Sequence, residues 1–392
     1  MDSFSPFGHS IRDNATPGRG HHVLRNVDKY AGVPLVFCLG MLRRRRRFPE
    51  EIRRIGLLNT AAIGDTILMS APLADLRSTY RNAEICLLVG PSNYEAACLV
   101  SPADMVVKLP VFHPLSSVLQ IRKRNLDLLL DFGPWARLNA IFAALSRAKF
   151  IAGFRTTGQH RHYGYDLAVD HLADVHELDN YRRLLSDLKI TCRQRPRIAR
   201  ARIPSILDER LRKPYLVFHL WPGGTGSKLK QWPIERWVKL AEHFIATGYR
   251  IVLTGGPSQG VANDRVIDAV TSARRRFIYN QAGLSLATTA ALMLAAALVV
   301  SVDTGVMHLA AALEVPLVAL MGPACSKRWG PVSDLAVVLE SPLSGCGYLN
   351  LGFEIPGDPP KCMEAISFDA VCTRCEQTLL LDAAIRSGGL HG

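Results

Sequence analysis

From Arg54 onward, apolar runs of four to six residues alternate with stretches in which apolar positions recur every three or four. The short runs predict strands buried on both faces of a sheet, and the periodic stretches predict amphipathic helices. In the first half this places strands at 55–58, 85–89, 106–109, 126–131 and 150–154. Helices read from the turn at Gly64-Asp65 to Tyr80, at 94–100, in a segment closing near 121–125, and at 139–147 and 176–188. A second series follows, with strands at 215–220, 250–254, 298–302 and 317–321 and helices at 234–247, 263–274, 286–298 and 304–313. Such alternation builds parallel sheets covered by helices. The expected fold class is α/β, with two doubly wound, Rossmann-like domains facing a central cleft.

Boundaries follow from the breaks in this pattern. A polar tail and a short apolar, Arg-rich segment occupy 1–50, and a first domain spans 51–192. A basic, Pro-containing linker covers 193–214 and a second domain 215–345. A cysteine-containing segment with a closing helix fills 346–392. Residues 1–28 lack periodicity and read as disordered. The apolar run 31–42 is about half the length needed to span a bilayer, and five arginines, Arg43 to Arg47, follow it at once. That composition suits a segment lying on an anionic membrane surface, the alternative being a core helix with a solvated basic end.

The formal net charge is +13, but residues 1–50 and 193–213 hold +11 of it. A nucleic-acid enzyme spreads basic residues over its cleft and interleaves aromatics, so no nucleic-acid partner is expected. Nine cysteines occur without a secretory signal, which predicts free thiols in a reducing cytosol. Cys346, Cys362, Cys372 and Cys375 fall late, and only the last two are closely spaced. They read as structural thiols rather than as a zinc site, and no metal is expected.

Candidate chemistry collects at carboxyl ends of strands, where open α/β sheets bind ligands. In the loop 222–232, Gly223, Gly224 and Gly226 let backbone N–H groups approach a ligand. Thr225 and Ser227 add hydroxyls there, and Lys228 and Lys230 add charge for a diphosphate. A second tight exit is Gly255-Gly256-Pro257, with Gln259 beside it. The third is Asp303-Thr304-Gly305, a cap and a flexible glycine opening a helix that carries His308 one turn in. Taken alone, His308 reads as a satisfied structural histidine. Neither GxGxxG after a strand nor GxxxxGK followed by Ser or Thr is present, which disfavours dehydrogenases and P-loop enzymes. In the first half, Asp65 stands in a turn of small residues. It reads either as a general base facing the cleft or as a helix cap. Gly64 beside it and Arg155 at the end of the 150–154 strand are the acceptor-side candidates.

Five segments carry a resemblance. NTAAIGDTILMSAPLADLR (59–77), GGTGSKLKQWPIERWVKLAEHF (223–244), GYRIVLTGGPS (248–258), LVVSVDTGVMHLAAALEVPLVALMGP (298–323) and KCMEAISFDAVCTRC (361–375) resemble glycosyltransferase family 9, the ADP-heptose:lipopolysaccharide heptosyltransferases. The resemblance covers roughly 52–380 and implies a GT-B fold and inverting transfer with no essential metal or cofactor. It implies Asp65 as catalytic base and Lys230 on the donor diphosphate. Asp303, Thr304, Gly305 and His308 would surround donor sugar and phosphates, with Thr225 and Ser227 aligning loosely with donor-contacting hydroxyls. Where family members often carry Glu after the glycine pair, this chain has Gln259. The implied partners are a nucleotide-sugar donor such as ADP-heptose, a lipid-linked saccharide acceptor and an anionic membrane surface. The implied location is cytoplasmic, at the inner face of the cytoplasmic membrane. A sugar-nucleotide epimerase shares the layout but needs a second acid–base pair that no motif supplies. A non-catalytic binding protein requires Asp65 to turn from the cleft.

Overall fold

A computed structural model describes residues 28, 30–42, 45–60, 62–100, 103–205, 211, 214–224, 226–351 and 354–388. Two parallel six-stranded sheets organise them. The first holds β1 (Arg54–Asn59), β2 (Glu84–Val89), β3 (Met105–Lys108), β4 (Leu128–Asp131), β5 (Phe150–Arg155) and β6 (Leu167–Asp170), in the order β3-β2-β1-β4-β5-β6. The second holds β7 (Tyr215–His219), β8 (Arg250–Gly255), β9 (Ile278–Ala282), β10 (Leu298–Val302), β11 (Leu317–Met321) and β12 (Ala336–Glu340), in the order β12-β11-β10-β7-β8-β9. Read from β9, this is the topology of the first sheet repeated. Each sheet reverses direction of winding beside its first strand, between β1 and β4 and between β7 and β10. Connections on either side of such a point leave toward opposite faces, so a crevice opens there.

Central strands are apolar on both faces, as LLLD in β4 and LVVSV in β10 show, and both are fully buried. The strands β6, β9 and β12 were not legible as strands. All three are sheet edges: LAVD and IYNQA carry no apolar run of four, and the short run in AVVLE is only half-buried. The expected helix up to Tyr80 is two helices, Ile63–Leu68 and Ser70–Thr79. Pro72 has no N–H to offer the Leu68 carbonyl, so the ladder breaks there. The start of the 193–214 segment is strapped to the first body: Asp75 Oδ1 accepts from the backbone N–H of Arg193 and Gln194 at 2.9 and 3.1 Å, and Ser70 Oγ accepts from Arg197 N–H. The helix Phe368–Gly388 closes the chain against β10, β11, β12 and the helix Ile234–Ala246.

The expectation of free thiols is corrected at two positions, because Cys346 and Cys362 form a disulfide. The chain between them folds back onto Gly322, the residue after β11. Gly347 N–H donates to its carbonyl, and a Cβ at Gly322 would lie 3.0 Å from Cys362 Cβ. Spacing in sequence carries no sign of that return. Cys372 and Cys375 are free and buried.

At the carboxyl end of β4 a charged cluster is fully buried. Arg161 Nη2 meets Asp131 Oδ2 at 2.5 Å, and the Tyr165 hydroxyl donates to the same oxygen at 2.6 Å. Arg161 also donates to the Gly133 carbonyl, and Asp131 Oδ1 accepts from Gly133 N–H. Removing one partner strands a charge in the interior. Arg161→Leu is therefore expected to lose about 3–5 kcal/mol in denaturant titration. The double variant Asp131→Asn/Arg161→Leu should lose clearly less, and equal losses would contradict the assignment.

Candidate functional site

Both exits at the crevice of the second sheet are polar turns that carry glycine. After β7 the chain turns through Gly224 (φ 80°) and Gly226 (φ 69°), left-handed conformations that glycine adopts without strain, into a single turn at Ser227–Lys230. After β10, Thr304 caps the helix Gly305–Ala312, its hydroxyl accepting from Val306 and Met307 N–H at 3.1 and 3.3 Å. The cap is thus Thr304 and not Asp303, which leaves Asp303 to the crevice. Lys230 Nζ lies 2.7 Å from Asp303 Oδ2, with both side chains partly open to solvent. A cation, a carboxylate and the positive end of a helix converge where the sheet's winding reverses.

The first body contributes Asp65 from the opposite side. Asp65 is the third residue of the helix Ile63–Leu68, whose N-cap position is Ala62, so the capping role does not fall to it. It is 5% exposed, on a helix that packs against Gly305–Ala312. That packing is a contact of glycines. A Cβ at Gly305 would lie 2.7 Å from Ile63 Cβ and 3.0 Å from Gly64 N, and one at Gly64 would lie 2.8 Å from His308 Cδ2. The helices bearing Asp65 and His308 therefore touch along their backbones.

His308 departs from the reading of a satisfied structural histidine. It is buried, and its Nδ1 has no hydrogen-bond partner among the described residues. Burial lowers its pKa to about 4, His176 and Lys230 push the same way, and Asp303 opposes them. The group is a neutral imidazole beside the Lys230–Asp303 pair.

The remaining expected residues separate. Ser227 is half-buried in the Ser227–Lys230 turn, and Thr225 lies outside the described residues. Gly256 is exposed, and its N–H donates to Gln259 Oε1 at 2.7 Å, so Gln259 spends its carbonyl oxygen closing its own loop. Arg155 ends β5, two strands from β1, exposed and 3.1 Å from Asp170 Oδ1.

Sequence reading missed the residues that hold the site. Asn93, fully buried, accepts from Gly90 N–H at 2.9 Å and donates to Asn59 O and Thr66 Oγ1 at 2.8 and 2.7 Å. It ties the end of β1 to the helix of Asp65. Arg328 reaches from the second body to Glu177 Oε2 at 2.6 Å, beside His171, and donates to Asn350 and the Val175 carbonyl. Burial raises the Glu177 pKa, but His171 and Arg328 more than offset it and hold the carboxyl below its usual range. No spacing announces these groups, since the partners that matter most, Asn59 and Thr66 for Asn93 and Glu177 for Arg328, are distant in sequence.

The His308 imidazole has a measurable consequence. Unfolded, it titrates near 6.5; folded, it stays neutral down to about 4. Unfolding takes up a proton between these values, so stability falls as pH drops through that window. Burial lowers His219 to about 4 as well, and it acts in the same direction. Denaturant titration should show less stability at pH 5 than at pH 7. His308→Gln should shrink that difference by about 2 kcal/mol, and an unchanged difference would place His308 in a polar, solvated setting.

Residues 120–347 match the profile of Glycosyltransferase family 9 (heptosyltransferase). Lipopolysaccharide heptosyltransferase 2 of Salmonella typhimurium is 35% identical over 120 residues, covering 30% of this chain and 34% of that protein. Lipopolysaccharide heptosyltransferase 1 of Pseudomonas aeruginosa is 30% identical over 186 residues, covering 44% and 50%. The chain thus spans a third to a half of the length of these relatives. The structure of E. coli ADP-heptose lps heptosyltransferase II superposes with a TM-score of 0.69 at 19% identity, covering 85% of this chain and 100% of that one. A glycosyl transferase family 9 structure from Veillonella parvula gives 0.71 at 21%, covering 85% and 99%. These structures share the GT-B arrangement of two facing Rossmann-like sheets. With the profile matched over more than half of its length, the chain belongs to glycosyltransferase family 9.

Proposed function

We propose that the chain moves a sugar, heptose foremost, from a nucleoside-diphosphate donor such as ADP-heptose to a saccharide of the lipopolysaccharide-core kind. The transfer inverts the anomeric centre and uses no catalytic metal. One observation supports the reading: at Gly64, the helix that carries Asp65 touches the helix Gly305–Ala312, whose N-terminus stands beside the Lys230–Asp303 pair. The names of the relatives supply the sugar and the acceptor class. Residues 51–192 would hold the acceptor and 215–345 the donor.

The chemistry follows from placement. Asp65 takes the proton of an acceptor hydroxyl as its oxygen bonds to the anomeric carbon. The bond from that carbon to the diphosphate oxygen breaks on the opposite face, and its electron pair leaves with the phosphate. Lys230 and the helix N-terminus stabilise the charge that develops there, the task a metal performs elsewhere. Asp303 holds Lys230 in place beforehand and can accept hydrogen bonds from sugar hydroxyls. Neutral His308 can donate or accept beside it without adding charge.

Offering a panel of nucleotide sugars with cell-envelope extract, and reading products by mass spectrometry, identifies donor and acceptor. With the active pair, Asp65→Asn should cut turnover about 100-fold or more while donor affinity survives. Lys230→Ala should lower donor affinity and turnover together, because the charge it meets grows as the bond breaks. Retention of a tenth of the turnover in Asp65→Asn, or a Lys230→Ala effect on affinity alone, would contradict these roles.

A membrane surface is proposed as a further partner of the first body. The helix Gly32–Leu42 docks through one stripe: Gly32 against the Arg137 side chain, buried Val36, and Gly40 against the Tyr163 backbone. Leu35, Phe37, Met41 and Leu42 point outward, with Leu42 83% exposed. Leu115 and Leu119 stand exposed on the helix Pro114–Arg122, which packs on the same helix, Arg137–Leu145. Arg45 and Arg47 are exposed beside this apolar face, whereas Arg46 holds the Ala148 carbonyl. Among the described residues no helix is long and apolar enough to cross a membrane. Each arginine near an anionic surface contributes about 1 kcal/mol. Replacing Arg43, Arg44, Arg45 and Arg47 with Gln should release the protein from anionic vesicles, and salt should mimic the change. Sedimentation unaltered by either would sink the proposal.

A further inference from the structure

Far from the crevice, two helices of the second body run side by side with rungs four residues apart. Lys239 Nζ stands 4.0 Å over the Phe368 ring; one turn later His243 meets the face bearing Cys372 and Glu376. His243 lies on Ile234–Ala246, and Cys372 and Glu376 are one helical turn apart on Phe368–Gly388. An imidazole nitrogen, the thiol sulfur and a carboxylate oxygen all lie within 4.8 Å of one another. His243 Nε2 is 2.8 Å from Glu376 Oε1, and the edge-on contact of its ring with Phe244, centroids 5.0 Å apart, holds the imidazole from the other side.

We propose that His243, Cys372 and Glu376 bind one divalent transition-metal ion of the zinc class, which clamps the closing helix to the donor-side body. Sulfur, nitrogen and oxygen donors together suit Zn²⁺ and its neighbours and not Mg²⁺ or Ca²⁺. Three protein ligands leave a fourth position, and the cluster is open enough for water to fill it: the side chains of His243 and Glu376 are 34% and 49% exposed. Cys372 lies beneath them, 7% exposed, so the pair at the surface forms the rim and the thiol the floor. Without an ion, the contact is an exposed His–Glu pair over a protonated thiol, an arrangement that adds little to stability. On binding, the Cys372 thiol gives its proton to solvent, the sulfur bonds the ion, and the imidazole nitrogen and carboxylate exchange their mutual contact for bonds to the metal. The ion sits apart from Asp65 and Lys230 and takes no part in transfer.

Cobalt(II) titration of the chelator-treated, full-length protein tests this, because a cobalt–thiolate bond gives a charge-transfer absorption. One Co²⁺ per chain is expected, with that band and the intense visible bands of a tetrahedral ion, and Zn²⁺ should displace it. Cys372→Ser should abolish the charge-transfer band. His243→Ala and Glu376→Gln, which leave the thiol and the apolar packing in place, should weaken binding about 100-fold or more. Cys375→Ser and Cys346→Ser should keep the band. Hydrogen exchange should show the Phe368–Gly388 helix better protected with Zn²⁺ than without. Absence of a stoichiometric band overturns the site. So does a band that survives Cys372→Ser, or one that disappears with Cys346→Ser, which would put the ion at the other cysteines.

Discussion

Two helices meet at glycines, Gly305 against Ile63 and Gly64 against His308, and the two halves of the molecule join at that approach. Gly64 and Gly305 allow the Ile63–Leu68 and Gly305–Ala312 helices to touch; even a methyl at Gly305 would come within 3.0 Å of Ile63 and of the Gly64 nitrogen. The contact sets the spacing of the two sheets at their crevices. Asp65 and His308, next to a glycine of the contact or one turn beyond it, are each 5% exposed. A larger residue at either glycine would have to push the two helices apart.

Polar groups around the contact are graded by how firmly each is held. Asn93 makes three hydrogen bonds and has no freedom left, as befits a residue that holds the Asp65 helix to β1. Arg328, Glu177 and His171 tie the bodies together through buried charge, a costly arrangement unless every partner stays in place. His308 Nδ1, by contrast, has no partner, and Lys230 and Asp303 are only partly buried. The proposed transferase chemistry uses these three, of which His308 Nδ1 is the buried atom left for a polar ligand to complete.

The repeated topology explains why both halves place chemistry at equivalent points. Asp65 follows β1 and the Ser227–Lys230 turn follows β7, the first strand of each sheet, while Asp303 follows β10, its neighbour across the reversal. Side chains that leave the sheet at a reversal point into a crevice rather than against a covering helix. The outer helix Gly32–Leu42 and the closing helix Phe368–Gly388 then add surfaces that the two sheets lack: an apolar face in one case, a cluster of metal-type donors in the other.

Much of this was legible before the coordinates. Central strands such as β4 and β10 are apolar on both faces, so composition alone marks them, and the glycine-rich exits and Asp303-Thr304-Gly305 announce themselves by residue type. Edge strands β6 and β9 escaped because a strand with one open side needs no long apolar run, and β12 because its short run is flanked by polar residues and half-exposed. Thr304 rather than Asp303 as the cap, and the return of Cys362 to Cys346, depend on backbone direction, which periodicity does not encode. His243 looked like an ordinary helix residue because its partners Cys372 and Glu376 lie more than a hundred positions away. Local physics, meaning periodicity, caps and turn residues, acts over a few residues and can be read from them. Contacts between distant segments depend on how whole elements pack, and only the folded chain brings Gly64 to Gly305, Arg328 to Glu177, and an imidazole to a buried thiol.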